Sequence, residues 1–200
     1  MTRAVCLALL LATSACRKDA GDVPARQRAE VVTSNGKEIS PADWCDATFP
    51  PDKAPALTLP PFEPLGASKG YTTRPTTWVW LNLWATWCKP CVREMPLVVT
   101  FAAHLRDEGM SLDTWFVSLD EPGADLQAFI REHPVLRDGT SLRLTSADDL
   151  DAWTGHYGLK SGTSIPINVI VAPGGGVRCV RAGSIAEGDY ARVRSVLKQL

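Results

Sequence analysis

The stretch Trp78-Val79-Trp80-Leu81-Asn82-Leu83-Trp84-Ala85-Thr86-Trp87-Cys88-Lys89-Pro90-Cys91-Val92-Arg93-Glu94-Met95-Pro96 changes its period halfway along. As far as Trp84 it is almost continuously apolar, the pattern of a β-strand covered on both faces and therefore central in its sheet. From Lys89 to about Glu108 the apolar residues recur at helical spacing (Met95, Val98, Val99, Ala102, Leu105) and Gly109 stands at the C-terminal cap. Pro96 interrupts the helical hydrogen bonding and predicts a kink. Two cysteines three residues apart lie where strand gives way to helix. In the first turn of a helix such a pair can come within bridging distance. The positive end of the helix favours a thiolate on Cys88, which reads as the exposed sulfur of the two. Lys89 adds a cation beside it, and Pro90 suits a position where a missing N–H costs nothing. Cys88 is thus the candidate nucleophile and Cys91 the resolving thiol.

Downstream, Leu112 to Leu119 reads as a second strand rich in aromatic and β-branched residues, so strand, helix and strand form a right-handed crossover. A short helix from about Ala124 to His133 stops at Pro134, and a strand follows near Ser141 to Leu144. A second helix is expected over about Asp148 to His156, capped by Ser146 with Asp149 three residues on. The chain then alternates into strand Ile167 to Val171, a Gly174-Gly175-Gly176 turn, strand Val177 to Arg181 and a helix from about Tyr190 to Leu200. The fold class is α/β, a central mixed sheet flanked by helices.

Upstream, seven of the fifteen prolines fall between Pro41 and Pro64, which forbids long helices and favours an extended connection. Before it, Arg3 precedes an apolar run from Ala4 to Ala12 and then Thr13-Ser14-Ala15-Cys16, the layout of a secretory signal. The run is shorter than the roughly 20 residues of a spanning helix. Residues 1–15 are therefore assigned to a signal peptide, 16–55 to a tether with a proline-rich extension, and 56–200 to the folded domain. A formal net charge of −1 provides no basic surplus for phosphates, so a nucleic-acid partner has no electrostatic support.

Six cysteines are present. Export would discard Cys6, and Cys16 would sit at the cleavage point, leaving four in the folded part. An oxidising exterior favours pairing, and the proximity of Cys88 and Cys91 leaves Cys45 with Cys179 as an expected structural disulfide. Two unpaired buried thiols are the alternative. Zinc is disfavoured because no second histidine follows His104 at ligand spacing, and haem attachment is excluded by Val92 after Cys91.

The string Leu81-Asn82-Leu83-Trp84-Ala85-Thr86-Trp87-Cys88-Lys89-Pro90-Cys91-Val92-Arg93-Glu94-Met95-Pro96 closely resembles the TlpA/ResA-like branch of the thioredoxin superfamily, and the likeness runs from about Ala54 to Leu200. The segment from Ala124 to Leu144 resembles that branch's helix-strand insertion. The resemblance implies a thioredoxin-like fold, a bacterial extracytoplasmic location, and reduction of disulfides in exported proteins, including those of cytochrome c or copper-site assembly. It implies electrons from a membrane thiol donor and no cofactor. Pro166, in Ser164-Ile165-Pro166, aligns with the family's cis-proline facing the two sulfurs. Asn82 stands where cytosolic thioredoxins carry a buried Asp, and Glu94 matches the branch's acid/base position; a solvated first-turn glutamate is its other reading. Trp87 is expected to shield the disulfide, and with Lys89, Pro90 and Asn82 to tune it.

Ser14-Ala15-Cys16 resembles the lipobox of bacterial lipoproteins, with Thr13 in place of the usual Leu. It implies a lipid anchor on Cys16; ordinary cleavage near Ala15 is the alternative. Three functional readings stay open: a reductase, the same chemistry run backwards as a disulfide-donating oxidant, and a copper-binding assembly factor using the two thiolates.

Overall fold

Seven strands join in one sheet in the order β1-β7-β6-β3-β4-β5-β2. They are β1 (Ala47–Thr48), β2 (Phe62–Pro64), β3 (Trp78–Trp84), β4 (Leu112–Ser118), β5 (Thr140–Leu144), β6 (Ile167–Val171) and β7 (Val177–Ala182). The helices are α1 (Lys89–Asp107), α2 (Ala124–Glu132), α3 (Val135–Asp138), α4 (Leu150–His156) and α5 (Tyr190–Gln199). The computed structural model describes residues 39–66, 68, 71–72 and 75–200. The residues expected to form a signal peptide and a lipobox, Cys16 among them, lie outside these.

β3 occupies the centre, parallel to β4 and antiparallel to β6. Its pleat sends alternate side chains to opposite faces. Trp80 and Trp84 enter the core beneath α1 and α5, while Val79, Leu81 and Leu83 enter the second core with Trp153 of α4 and Tyr157, which caps the end of that helix. Every residue of β3 after Trp78 is buried. Fully burying an aliphatic or aromatic side chain contributes about 1.5–3 kcal/mol, enough in aggregate to carry one buried amide, Asn82, in the middle of the strand.

The same parity decides which polar groups meet. Asn82 is opposite Asn168 of β6, and Asn168 is opposite Arg181 of β7, so one row crosses three strands. Asn82 shares the face of Trp80 and Trp84, and Asn168 the face of Ile170. That face lies under α1.

α1 runs through Pro96 as one helix of 19 residues and ends before Gly109, whose φ of +93° favours glycine. The mixed sheet and flanking helices agree with the α/β expectation. The segment from Ala124 to Leu144 contributes α2, α3 and β5, the last parallel to β4 and paired on its outer side with β2. α4 starts later than its sequence suggests, at Leu150, because Ser146 accepts from the Asp148 amide in a turn instead of capping the helix.

The proline-rich segment departs from the tether expected up to residue 55. Prolines exclude long helices but admit the 3₁₀ turns Pro41–Asp43 and Pro51–Lys53 and the short edge strand β1. β1 pairs with β7, Trp44 and Ile39 are buried in the core, and a disulfide joins Cys45 to Cys179. The folded unit therefore begins well before residue 56.

Candidate active site

β3 ends at Trp84, and four residues later Cys88 caps the N-terminus of α1. Its Sγ accepts from the Cys91 backbone N–H at 3.3 Å. Cys88 and Cys91 form a disulfide, with Cα atoms 5.3 Å apart. The sulfur of an N-cap receives the field of the unpaired amides of the first turn, so the helix stabilises a Cys88 thiolate once the bond is reduced. Pro90 occupies the first turn, where no intrahelical bond is lost, and Lys89 is exposed beside it.

The peptide bond between Ile165 and Pro166 is cis, and the Ile165 carbonyl oxygen lies 3.8 Å from Cys88 Sγ. The sulfur is better covered than its end-of-helix position suggests: Cys88 is 5% exposed and Cys91 fully buried. Trp87, expected to shield the disulfide, stands at the surface. It is 67% exposed, because the turn between β3 and α1 carries it outside both cores.

Glu94, one turn after Cys91, is buried. Its Oε1 accepts from Asn82 Nδ2 at 2.6 Å and Asn168 Nδ2 at 3.3 Å, and its Oε2 from the Ile185 N–H at 2.7 Å. Burial pushes its carboxyl above the usual carboxylate range; these three donors and the positive field of Arg181 oppose that rise without cancelling it. A solvated first-turn glutamate is thereby replaced by a buried carboxyl held by the sheet. Asn82 lies in contact with it, and its own Oδ1 is buried without a partner.

Two contributors went unread in the sequence. Asn168 donates to Glu94 while its Oδ1 accepts from Trp80 Nε1 at 2.8 Å and from Asn82 Nδ2 at 3.0 Å. A lone amide inside the apolar run Ile167 to Val171 was the signal available. Asp120, buried after β4, accepts from the Thr86 N–H, from Thr86 Oγ1 at 2.6 Å and from Ser118 Oγ at 2.8 Å. It ties down the turn two residues before Cys88.

Cys45 and Cys179 sit apart from this centre in sequence but on the same sheet edge as Arg181. Arg181 donates to the Trp44 carbonyl at 2.8 Å, and its guanidinium lies 5.2 Å from the Trp44 ring. Among the described residues no group of three or more His, Cys, Asp or Glu side chains is placed to hold a metal ion, and no helix is long and apolar enough to cross a membrane.

No family model matches the chain. It is 40% identical over 55 residues to the thiol-disulfide oxidoreductase ResA of Oceanobacillus iheyensis, 28% of each chain. To ResA of Geobacillus thermodenitrificans it is 27% identical over 111 residues, covering 56% of this chain and 58% of that one. ResA of Bacillus subtilis matches at 26% over 113 residues, 54% and 55% of the two chains. The chain thus spans little more than half the length of these relatives at most. The crystal structure of a putative thiol:disulfide interchange protein DsbE from Chlorobium tepidum superposes with a TM-score of 0.51 at 22% identity, covering 78% of this chain and 96% of that one. That likeness is one of fold. The chain thus has a thioredoxin-like fold with a cysteine pair capping α1 beside a cis-proline, and over up to about half its length it is similar in sequence to thiol-disulfide oxidoreductases of the ResA type.

Proposed function

We propose that the protein is an extracytoplasmic thiol-disulfide oxidoreductase that reduces disulfides of exported proteins. The observation that carries this reading is the Cys88–Cys91 disulfide at the start of α1, with the Ile165 carbonyl against Cys88 Sγ and a buried Glu94 one turn further on. In the reduced protein the Cys88 thiolate attacks one sulfur of a substrate disulfide, making a mixed disulfide and releasing a substrate thiolate that takes up a proton. Cys91, deprotonated with Glu94 as the acceptor, then attacks Cys88 Sγ and frees the second substrate thiol. The substrate gains two electrons and two protons, and the protein ends as the Cys88–Cys91 disulfide. A membrane thiol donor restores the dithiol.

The Cys45–Cys179 bridge supports an oxidising compartment, as does the signal layout of residues 1–15. Lipidation of Cys16 would hold the domain at a bacterial membrane. Exposed Trp87 offers an apolar contact beside the sulfur for a protein substrate. Assembly of cytochrome c or copper sites is the substrate class in which such a reductase serves.

The reduction potential of the Cys88–Cys91 couple, followed by tryptophan fluorescence in redox buffers, tests the direction. A value near or below about −270 mV supports a reductase. A value near about −120 mV would make the protein a disulfide donor instead. Copper binding to the reduced protein at stoichiometric, tight affinity would favour the assembly-factor reading.

A further inference from the structure

A buried carboxyl that must gain and lose a proton in each cycle needs a fixed orientation, and the sheet beneath Glu94 supplies one through neutral amides. An asparagine amide can turn over, exchanging its oxygen and nitrogen, unless its neighbours distinguish the two ends. Here they do. The Trp80 indole N–H can only donate, so the atom of Asn168 that faces it, at 2.8 Å, must be the oxygen. The nitrogen is then forced toward Glu94 Oε1, at 3.3 Å. Asn82 reinforces the choice, since its Nδ2 donates to both Asn168 Oδ1 and Glu94 Oε1. All four side chains are buried, so water does not compete for these bonds.

Resting on the reading that Glu94 is the acid/base of thiol exchange, we propose that Asn168 is a positioning residue for Glu94: its amide, locked by the Trp80 indole, presents a donor to the carboxyl and fixes where the exchanging proton resides. The register of β6 against β3 sets this up by placing Asn168 directly opposite Asn82. The charged and titratable groups turned toward the carboxyl are Arg181 from β7 and, after reduction, Cys91 one helical turn before it. β3, β6 and β4 contribute the neutral residues Asn82, Asn168 and Phe116 to the row beneath it. Because Asn168 donates, it favours the ionised carboxyl and counteracts part of the rise that burial imposes.

The test is the titration of Glu94 in the reduced protein, by carboxyl carbon NMR and by the pH dependence of exchange with a small disulfide. Asn168→Leu keeps the heavy-atom count and the branching at Cγ and removes the donor; the Glu94 inflection is expected to move up by about one pH unit. Trp80→Phe, a milder change, releases the amide to turn and is expected to move the inflection in the same direction by a smaller amount. In a Glu94→Gln background neither substitution should alter the pH profile. A purely structural role would lower the melting midpoint and leave the inflection where it was. A Glu94 inflection that stays put in both variants overturns the assignment of Asn168 and leaves Glu94 standing. A wild-type exchange rate with no Glu94-dependent inflection overturns both readings.

Discussion

Asn82 donates to Glu94 across 2.6 Å of buried interior, an amide of the central strand meeting a carboxyl of the helix that Cys88 caps and Cys91 belongs to. The pairing explains why an uncharged residue suits position 82. A second carboxylate there would lie against Glu94 in low dielectric, and two like charges cannot both ionise cheaply at that distance. Asparagine supplies a donor in its place, so a single group titrates beneath the disulfide.

Replacing Glu94 by Gln removes that proton site. Thiol-disulfide exchange should slow by about a hundredfold near neutral pH, the low end for general acid-base assistance, and its pH profile should flatten. Stopped-flow exchange with a model disulfide measures this, and an unchanged rate and profile would remove Glu94 from the mechanism.

The same carboxyl makes stability depend on pH. Its folded value lies above the ordinary 4.5, so the unfolded chain loses the proton more readily than the folded one. The stability it contributes is present in full below about pH 4.5, and is lost as pH rises through the higher folded value. Relative to Glu94→Gln, the native protein should therefore lose stability on going from acid toward neutral pH. Urea melts of both proteins across that range give the answer; a difference that is flat or of opposite slope would contradict the assignment.

Asp120 holds the turn that aims Cys88. Asp120→Ala leaves the Thr86 amide and hydroxyl without their acceptor and should cost about 1–3 kcal/mol, with slower exchange at Cys88. Thr86→Val, which keeps the backbone bond, should cost less. Denaturant midpoints and exchange rates of the two variants should fall in that order.

The bridge between Cys45 and Cys179 closes a separation of 134 residues and pins the segment that carries Trp44 to β7. Replacing both cysteines by Ala should cost about 2–5 kcal/mol. The redox cycle at Cys88 and Cys91 should persist. Chemical denaturation measures the first, and the potential of the variant the second.

The central strand, the crossover helix and the position of the cysteine pair were legible because each rests on local periodicity: continuous apolarity, then helical spacing, then two thiols at the boundary. The edge strands β1 and β2 were not, since two or three residues among prolines carry no period and take their pairing from the sheet. Glu94 and Asn82 were legible one at a time, but their contact depends on the crossover placing α1 above the even-numbered face of β3. Asn168 needed the register of β6 as well, and Asp120 a loop geometry that no spacing announces. The exposure of Trp87 was not legible either, because burial of an aromatic cannot be inferred where the chain turns between two elements.

Trapping the mixed disulfide tests the central claim most directly. A Cys91→Ser variant, incubated with a disulfide-bonded peptide and analysed by peptide mass mapping, should carry the substrate on Cys88 alone and hold it. Cys88→Ser should carry none. Substrate found on Cys45 or Cys179, or no adduct at all with Cys91→Ser, would contradict the assignment of Cys88 as the attacking thiol.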